Sequence, residues 1–220
     1  NLPTVLFYPI VNALVPLISA AHETKDFASG AKMRSFSMRV INLISIPCAL
    51  GLGIFSYPIL DLLMFKQDSV LRAAPWLSVA SISVIFLGLI SATNAFLNTA
   101  GKQRLPIVSM VIGACAKLVL NYVLIERIGI VGAPISTVAC YLLAAAINIF
   151  FTVKYVGKLP EIKKIFGLPL VCGILSIGVS ALLYLLLTTF LPSKIATVIC
   201  ILTSVVGYLF MIIKTNTVTK

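Results

Sequence analysis

Acidic residues are scarce in this sequence. Six carboxylates (Glu23, Asp26, Asp61, Asp68, Glu126 and Glu161) are spread over 220 residues, and His22 is the one histidine. Paired carboxylates, a clustered metal site and a nucleophile–histidine arrangement are all missing, so enzyme chemistry is poorly supported and neither a metal nor a cofactor is implied. Charge as a whole is scarce too: 10% of the residues are charged, against about 25% in ordinary soluble chains. The ten-residue alternating pattern of a membrane barrel is absent, because the apolar runs are long and unbroken. Connecting segments are short, which leaves no room for a soluble domain. The five cysteines (Cys48, Cys115, Cys140, Cys172 and Cys200) lack metal-ligand spacing and fall inside apolar runs, where cysteine behaves as a small hydrophobe.

Hydrocarbon-compatible sequence is what remains. Apolar residues make up 60% of the chain and mean hydropathy is +1.11. A helix needs about 20 apolar residues to cross a core roughly 30 Å thick. Seven segments qualify: 2–20, 40–65, 74–97, 105–125, 128–153, 165–191 and 195–213. The expected fold is an all-α polytopic transmembrane helix bundle of about seven spans. Asn1 follows no methionine or basic leader, and the segment's end at Ile18-Ser-Ala-Ala21 resembles a signal-cleavage site only faintly. Pro3, Pro9 and Pro16 argue against a signal peptide, so the chain reads as starting inside a larger protein.

Net charge is +11, and its placement is one-sided. Twelve basic residues lie on one side of the expected spans: Lys25, Lys32, Arg34 and Arg39; Lys102 and Arg104; Lys154, Lys158, Lys163 and Lys164; Lys214 and Lys220. The other side has Lys66, Arg72, Arg127 and Lys194. The positive-inside rule makes the richer side cytoplasmic, with Asn1 outside and Lys220 inside. The charge is then a topology signal, and nucleic-acid binding is a poor reading of it.

The seventeenth cation, Lys117, sits near the middle of the 105–125 span. A charge at that depth costs about 2.5–3.5 kcal/mol on insertion scales, so it faces either a polar cavity or a structural partner. Ser109, Gly113, Lys117 and Asn121 recur every fourth residue and share one face, as do Gly132, Ser136, Cys140, Ala144 and Asn148 in the next span. The second row is chiefly a close-packing surface. Asn94 and Asn98 share a face in the third span, where amides need a neighbouring helix or a hydrophilic substrate. Pro9 and Pro16 lie on about the same face of the first span with Asn12 between them. They bend or unwind that helix, as a static kink or as a flexible wall of a pathway.

Taken in order, these segments resemble a known family. They are Asn1-Leu-Pro3, Ala13 to Ala21, Arg39, Ile46-Pro-Cys-Ala-Leu-Gly51, Tyr57-Pro to Phe65, Asn94 to Lys102, Pro106, Lys117 to Asn121, and Gly129 to Thr137. The order resembles the stage V sporulation protein B branch of the multidrug/oligosaccharidyl-lipid/polysaccharide exporter superfamily, related to the lipid II flippase of bacteria. The resemblance runs through residue 155 or so, and the last two spans are generic. It divides the chain into core transport helices over 1–155 and two additional helices over 156–220. It implies the C-terminal lobe of a two-lobe bundle of about fourteen helices around a cavity that opens alternately to each side. The resemblance implies an N-terminal lobe as the partner, which in the lipid II flippase supplies basic residues to the anionic substrate.

On this resemblance the expected function is flipping of an undecaprenyl-linked cell-wall or polysaccharide precursor across the cytoplasmic membrane. Lys117, Asn121, Asn12 and Asn94 are the expected cavity-lining contacts to its sugar–pyrophosphate headgroup, and Pro9 and Pro16 are the expected gating positions. A multidrug/cation antiporter of the same superfamily is the alternative; few acids and a buried cation count against it. A non-transporting scaffold for envelope assembly is a third reading, and such a scaffold has little reason to keep a buried lysine.

Overall fold

A computed structural model describes residues 27–63, 67–157 and 162–214. The expected first span, with Pro9, Asn12 and Pro16, lies outside the described residues. Eight helices follow: α1 (Phe27–Ile54), α2 (Ser56–Leu63), α3 (Gln67–Ser81), α4 (Ser83–Thr99), α5 (Arg104–Ile128), α6 (Gly132–Tyr155), α7 (Ile162–Leu187) and α8 (Ser193–Lys214). No strand occurs among the described residues.

Helix α1 begins well before the expected position 40. Residues 27–39 carry three cations and so read as a loop, but they contain no proline and several good helix formers, so nothing stops the helix. It breaks at Phe55, three residues before Pro58, whose ring removes the N–H that Ile54 would otherwise receive. The Phe55 N–H still reaches Gly51 O at 2.9 Å and the Ile59 N–H reaches Phe55 O at 2.9 Å, so α2 continues the crossing. A similar joint at Ile82 separates α3 from α4. There the Ser81 hydroxyl donates to Ser78 O (2.7 Å) and the Ser83 hydroxyl to Ala80 O (2.5 Å). Such back-bonding competes with the helical ladder and bends helices.

Five helical stretches are long and apolar enough to cross a membrane. One of them, Arg104–Tyr155, has 52 residues, which at 1.5 Å per residue would exceed twice the hydrocarbon thickness. It is two antiparallel helices. Gly129, at φ 69°, takes a left-handed conformation that side-chain-bearing residues adopt at a cost, and the chain reverses through the short turn Gly129–Val131.

The helices pack in a row: α5 against α6, α6 against α4, α4 against α1, α1 against α7, and α7 against α8. The main core lies where α1, α4 and α6 meet, around Met38, Ile41, Leu89, Ile90, Phe96 and Ala144. A second lies between the α1–α2 joint, α7 and α8, around Phe55, Ile177 and Cys200. Outer faces carry large exposed hydrophobics, among them Leu118 and Tyr122 on α5 and Phe210 and Ile213 on α8. Water would not tolerate that surface, and hydrocarbon covers it. The molecule is a multi-pass membrane helix bundle.

Candidate functional site

The two four-residue rows noted in α5 and α6 face one another. Because the helices are antiparallel, the start of one row meets the end of the other. Ser109 on α5 donates to Asn148 Oδ1 on α6, and Ser136 on α6 donates to Asn121 Oδ1 on α5. Between these ends the helices nearly touch: a Cβ added at Gly113 would sit 2.9 Å from Cys140 O and 3.3 Å from Ala144 Cβ. That separation leaves no room for a side chain, so the glycine is required by the approach.

Asn148 also joins a third helix, its Nδ2 donating to Asn94 Oδ1 at 2.6 Å. A hydrogen-bonded path therefore runs from Ser109 through Asn148 to Asn94, across α5, α6 and α4. Ser109 and Asn148 are wholly buried, whereas Asn94 and Asn121 are half-buried. An amide in hydrocarbon without partners is costly, and this path supplies them.

Lys117 lies on the same α5 row, one turn from Gly113 and one from Asn121, and is half-buried. Its ammonium is an electrostatic neighbour of Cys140. Among the described residues no acid pairs with it. Lys117 and Asn121 are adjacent along the seam, whereas Asn94 joins the seam near Ser109, about 12 Å away along the axis at 1.5 Å per residue. Asn12, Pro9 and Pro16 lie outside the described residues. Among the described residues, no group of three His, Cys, Asp or Glu side chains comes together.

Two features were not singled out by sequence reasoning. The first is an apolar groove of about 620 Å³ between α1 and α8. Leu43, Pro47 and Phe55 line one wall and Ile201, Leu209 and Ile212 the other; Ser204 and Tyr208 are its hydroxyl-bearing residues. Its walls lie about 150 positions apart in the chain, which no local periodicity connects. The second is a polar cluster where α2 meets the starts of α3 and α8. Buried Asp61 accepts from Gln67 Nε2 (2.8 Å) and from the Ser193 hydroxyl (3.3 Å), tying the three helices together.

A family model described as lipid II flippase MurJ matches residues 1–218. Membrane protein YabM of Bacillus subtilis is 27% identical over 191 residues, covering 87% of this chain and 35% of that protein. Lipid II flippase MurJ of Bacillus subtilis is 25% identical over 147 residues, covering 66% of this chain and 27% of the relative. Membrane protein MJ1068 of Methanocaldococcus jannaschii is 31% identical over 112 residues, covering 51% and 22%. In each case the chain aligns with about a third or less of the relative's length.

Proposed function

The chain belongs to the lipid II flippase MurJ family, whose model matches residues 1–218, and from that premise we propose that it forms one lobe of a flippase for a lipid-linked, undecaprenyl-type cell-wall or polysaccharide precursor. The observation that carries the reading is Lys117, a cation within a membrane span with no acid beside it among the described residues. A charge that costs a few kcal/mol to insert and gains no ion pair in return makes sense when an anionic substrate visits it. The ammonium serves a pyrophosphate as a compact point charge rather than a bidentate clamp. Asn121, one turn away, keeps its amide N–H groups for sugar hydroxyls, because its hydrogen bond to Ser136 uses only the oxygen.

The lipid tail needs a different surface. The groove between α1 and α8 is apolar along both walls and suits an isoprenoid chain. A second lobe of the same protein would supply further basic residues and close the headgroup cavity, with Pro9, Asn12 and Pro16 contributing from the first span. The proposed orientation puts Asn1 outside and Lys220 inside the cytoplasmic membrane, from the excess of lysine and arginine on one side. Cation export by the same lobe is disfavoured by the Lys117 charge, which repels a cationic substrate in a low-dielectric site.

The test is Lys117→Met and Lys117→Arg in the full-length protein, with membrane abundance and headgroup translocation measured on the same cells. Lys117→Met should leave abundance unchanged or raised and cut translocation at least about tenfold, a loss of roughly 1.4 kcal/mol; Lys117→Arg should retain part of it. Reduced abundance with unchanged transport per molecule would make Lys117 structural. Full activity in Lys117→Met would sink the proposal.

A further inference from the structure

Tyr155, in the last turn of α6, has two ammonium groups within cation–π reach of its ring. Lys102 Nζ lies 5.5 Å from its ring centroid and Lys154 Nζ lies 5.3 Å from it. Lys102 comes from the turn between α4 and α5, held in place by its own N–H bonding to Leu97 O at 2.8 Å, so the arrangement joins two elements. Both ammoniums are within about a Debye length of each other, ~10 Å at 0.1 M, and repel. Neither has an ion-pair partner among the described residues. The ring offsets part of that repulsion, since a cation over a tyrosine face gains about 0.5–1 kcal/mol at an exposed site.

A third cation meets the same helix end. Gly157 is two residues past Tyr155, and a Cβ there would lie 3.5 Å from Arg34 Nη2. The Arg34 Nε is buried and has no acceptor. The α6 C-terminus supplies only about half an elementary negative charge, so three cations leave this corner strongly positive. Tyr155, Lys102 and Lys154 are all exposed, and they stand where a membrane-spanning helix ends, at the depth of lipid headgroups.

We propose that Lys102, Lys154 and Tyr155, with Arg34 behind them, form a binding site for the phosphodiester of an anionic phospholipid of the surrounding membrane. The phosphate accepts from the two ammoniums, and the tyrosine keeps them together when the site is empty. The charge-assisted contacts select an anionic headgroup over a zwitterionic one. This site rests on the embedding of the bundle in a membrane and not on the flipping reading, so the two stand or fall separately.

The experiment uses the full-length protein in neutral detergent, titrated with phosphatidylglycerol, phosphatidylcholine or inorganic phosphate. Retained lipid is counted by native mass spectrometry, and thermal unfolding is followed in parallel. Phosphatidylglycerol should be retained and raise the melting temperature, and the other two probes should do neither. Lys102→Gln/Lys154→Gln should weaken phosphatidylglycerol retention about tenfold or more, whereas Lys102→Arg/Lys154→Arg should preserve it. Should the double glutamine variant fail to fold, Tyr155→Leu decides the matter with both charges in place: several-fold weaker retention is expected, and unchanged retention overturns the clamp. Lys214→Gln, in the last turn of α8, serves as the charge control and should bind normally. An equal loss in that variant would mean a diffuse surface field and no site. A thermal shift with inorganic phosphate equal to that with the lipid would make this a free-anion site and overturn the lipid assignment.

Discussion

Asn148 shows what a single polar side chain does in hydrocarbon. It accepts from Ser109 and donates to Asn94, and it is fully buried. Its removal leaves Asn94 short of a partner, whereas the Ser109 hydroxyl can turn its one proton to Pro106 O, 2.8 Å away. Measured interhelical hydrogen bonds in membranes average about 0.6 kcal/mol and reach about 1.7. Asn148→Ala should therefore lower the thermal stability of the full-length protein by an amount in that range, read from unfolding in detergent. Asn148→Ser, which keeps one donor and one acceptor, should recover part of the loss. An unchanged midpoint in the alanine variant would mean that α4 and α6 are held by packing alone. The same scale separates Asn148 from Lys117: one is satisfied inside the protein, and the other has no acid beside it among the described residues.

At the scale of the element, the α5–α6 pair is set by its small residues. The ideal Cβ position at Gly113 falls 2.9 Å from a backbone carbonyl, which cannot rotate aside. Gly113→Ala should thus force the helices apart and cost about 1–3 kcal/mol, despite alanine's better helix propensity. Gly167 in α7 is the control: it is exposed, and a Cβ there meets nothing within 4 Å. Gly167→Ala should be neutral or slightly stabilising, by up to about 1 kcal/mol. Equal midpoints for the two variants would contradict the close crossing. Helix ends were less legible than helix middles. Lys32, Arg34 and Arg39 mark the edge of the apolar run, but α1 extends through them to Phe27, because charge ends a hydrophobic segment without ending a helix. At Phe55 and Ile82 the reverse holds: the apolar run continues, but Pro58 and the serine pair interrupt the ladder.

For the whole molecule, the row α5–α6–α4–α1–α7–α8 puts the polar seam at one end and the apolar groove at the other. On the proposed function, headgroup and tail of a lipid-linked substrate would meet different parts of this bundle. Gly51 lines the groove, and a Cβ there meets nothing within 4 Å, so a large side chain can enter without displacing the backbone. Gly51→Trp should fill the groove and reduce translocation several-fold at normal abundance, with Gly51→Ala near wild type. Normal transport in Gly51→Trp would remove the groove from the mechanism. Orientation is checked separately. In a protein without native cysteines, Lys102→Cys should label only from the cytoplasm and Asp68→Cys only from outside. Labelling of both from one side would overturn the proposed arrangement of spans.

Composition and periodicity were enough to establish a membrane helix bundle, because hydrocarbon admits few alternatives to a helix with every backbone group satisfied. They also identified the two every-fourth-residue rows, since the helical period decides which residues share a face. That these rows meet each other was a tertiary decision: Gly113 faces Cys140, and Asn121 faces Ser136, because α5 and α6 run antiparallel through Gly129. Hydropathy gives no help here, because lipid is as apolar as a packed core and the same leucine suits either. The groove shows this most clearly. Leu43 and Ile212 are as apolar as exposed Leu118 and Ile213, and only the placement of α8 beside α1 turns them into the walls of a cavity.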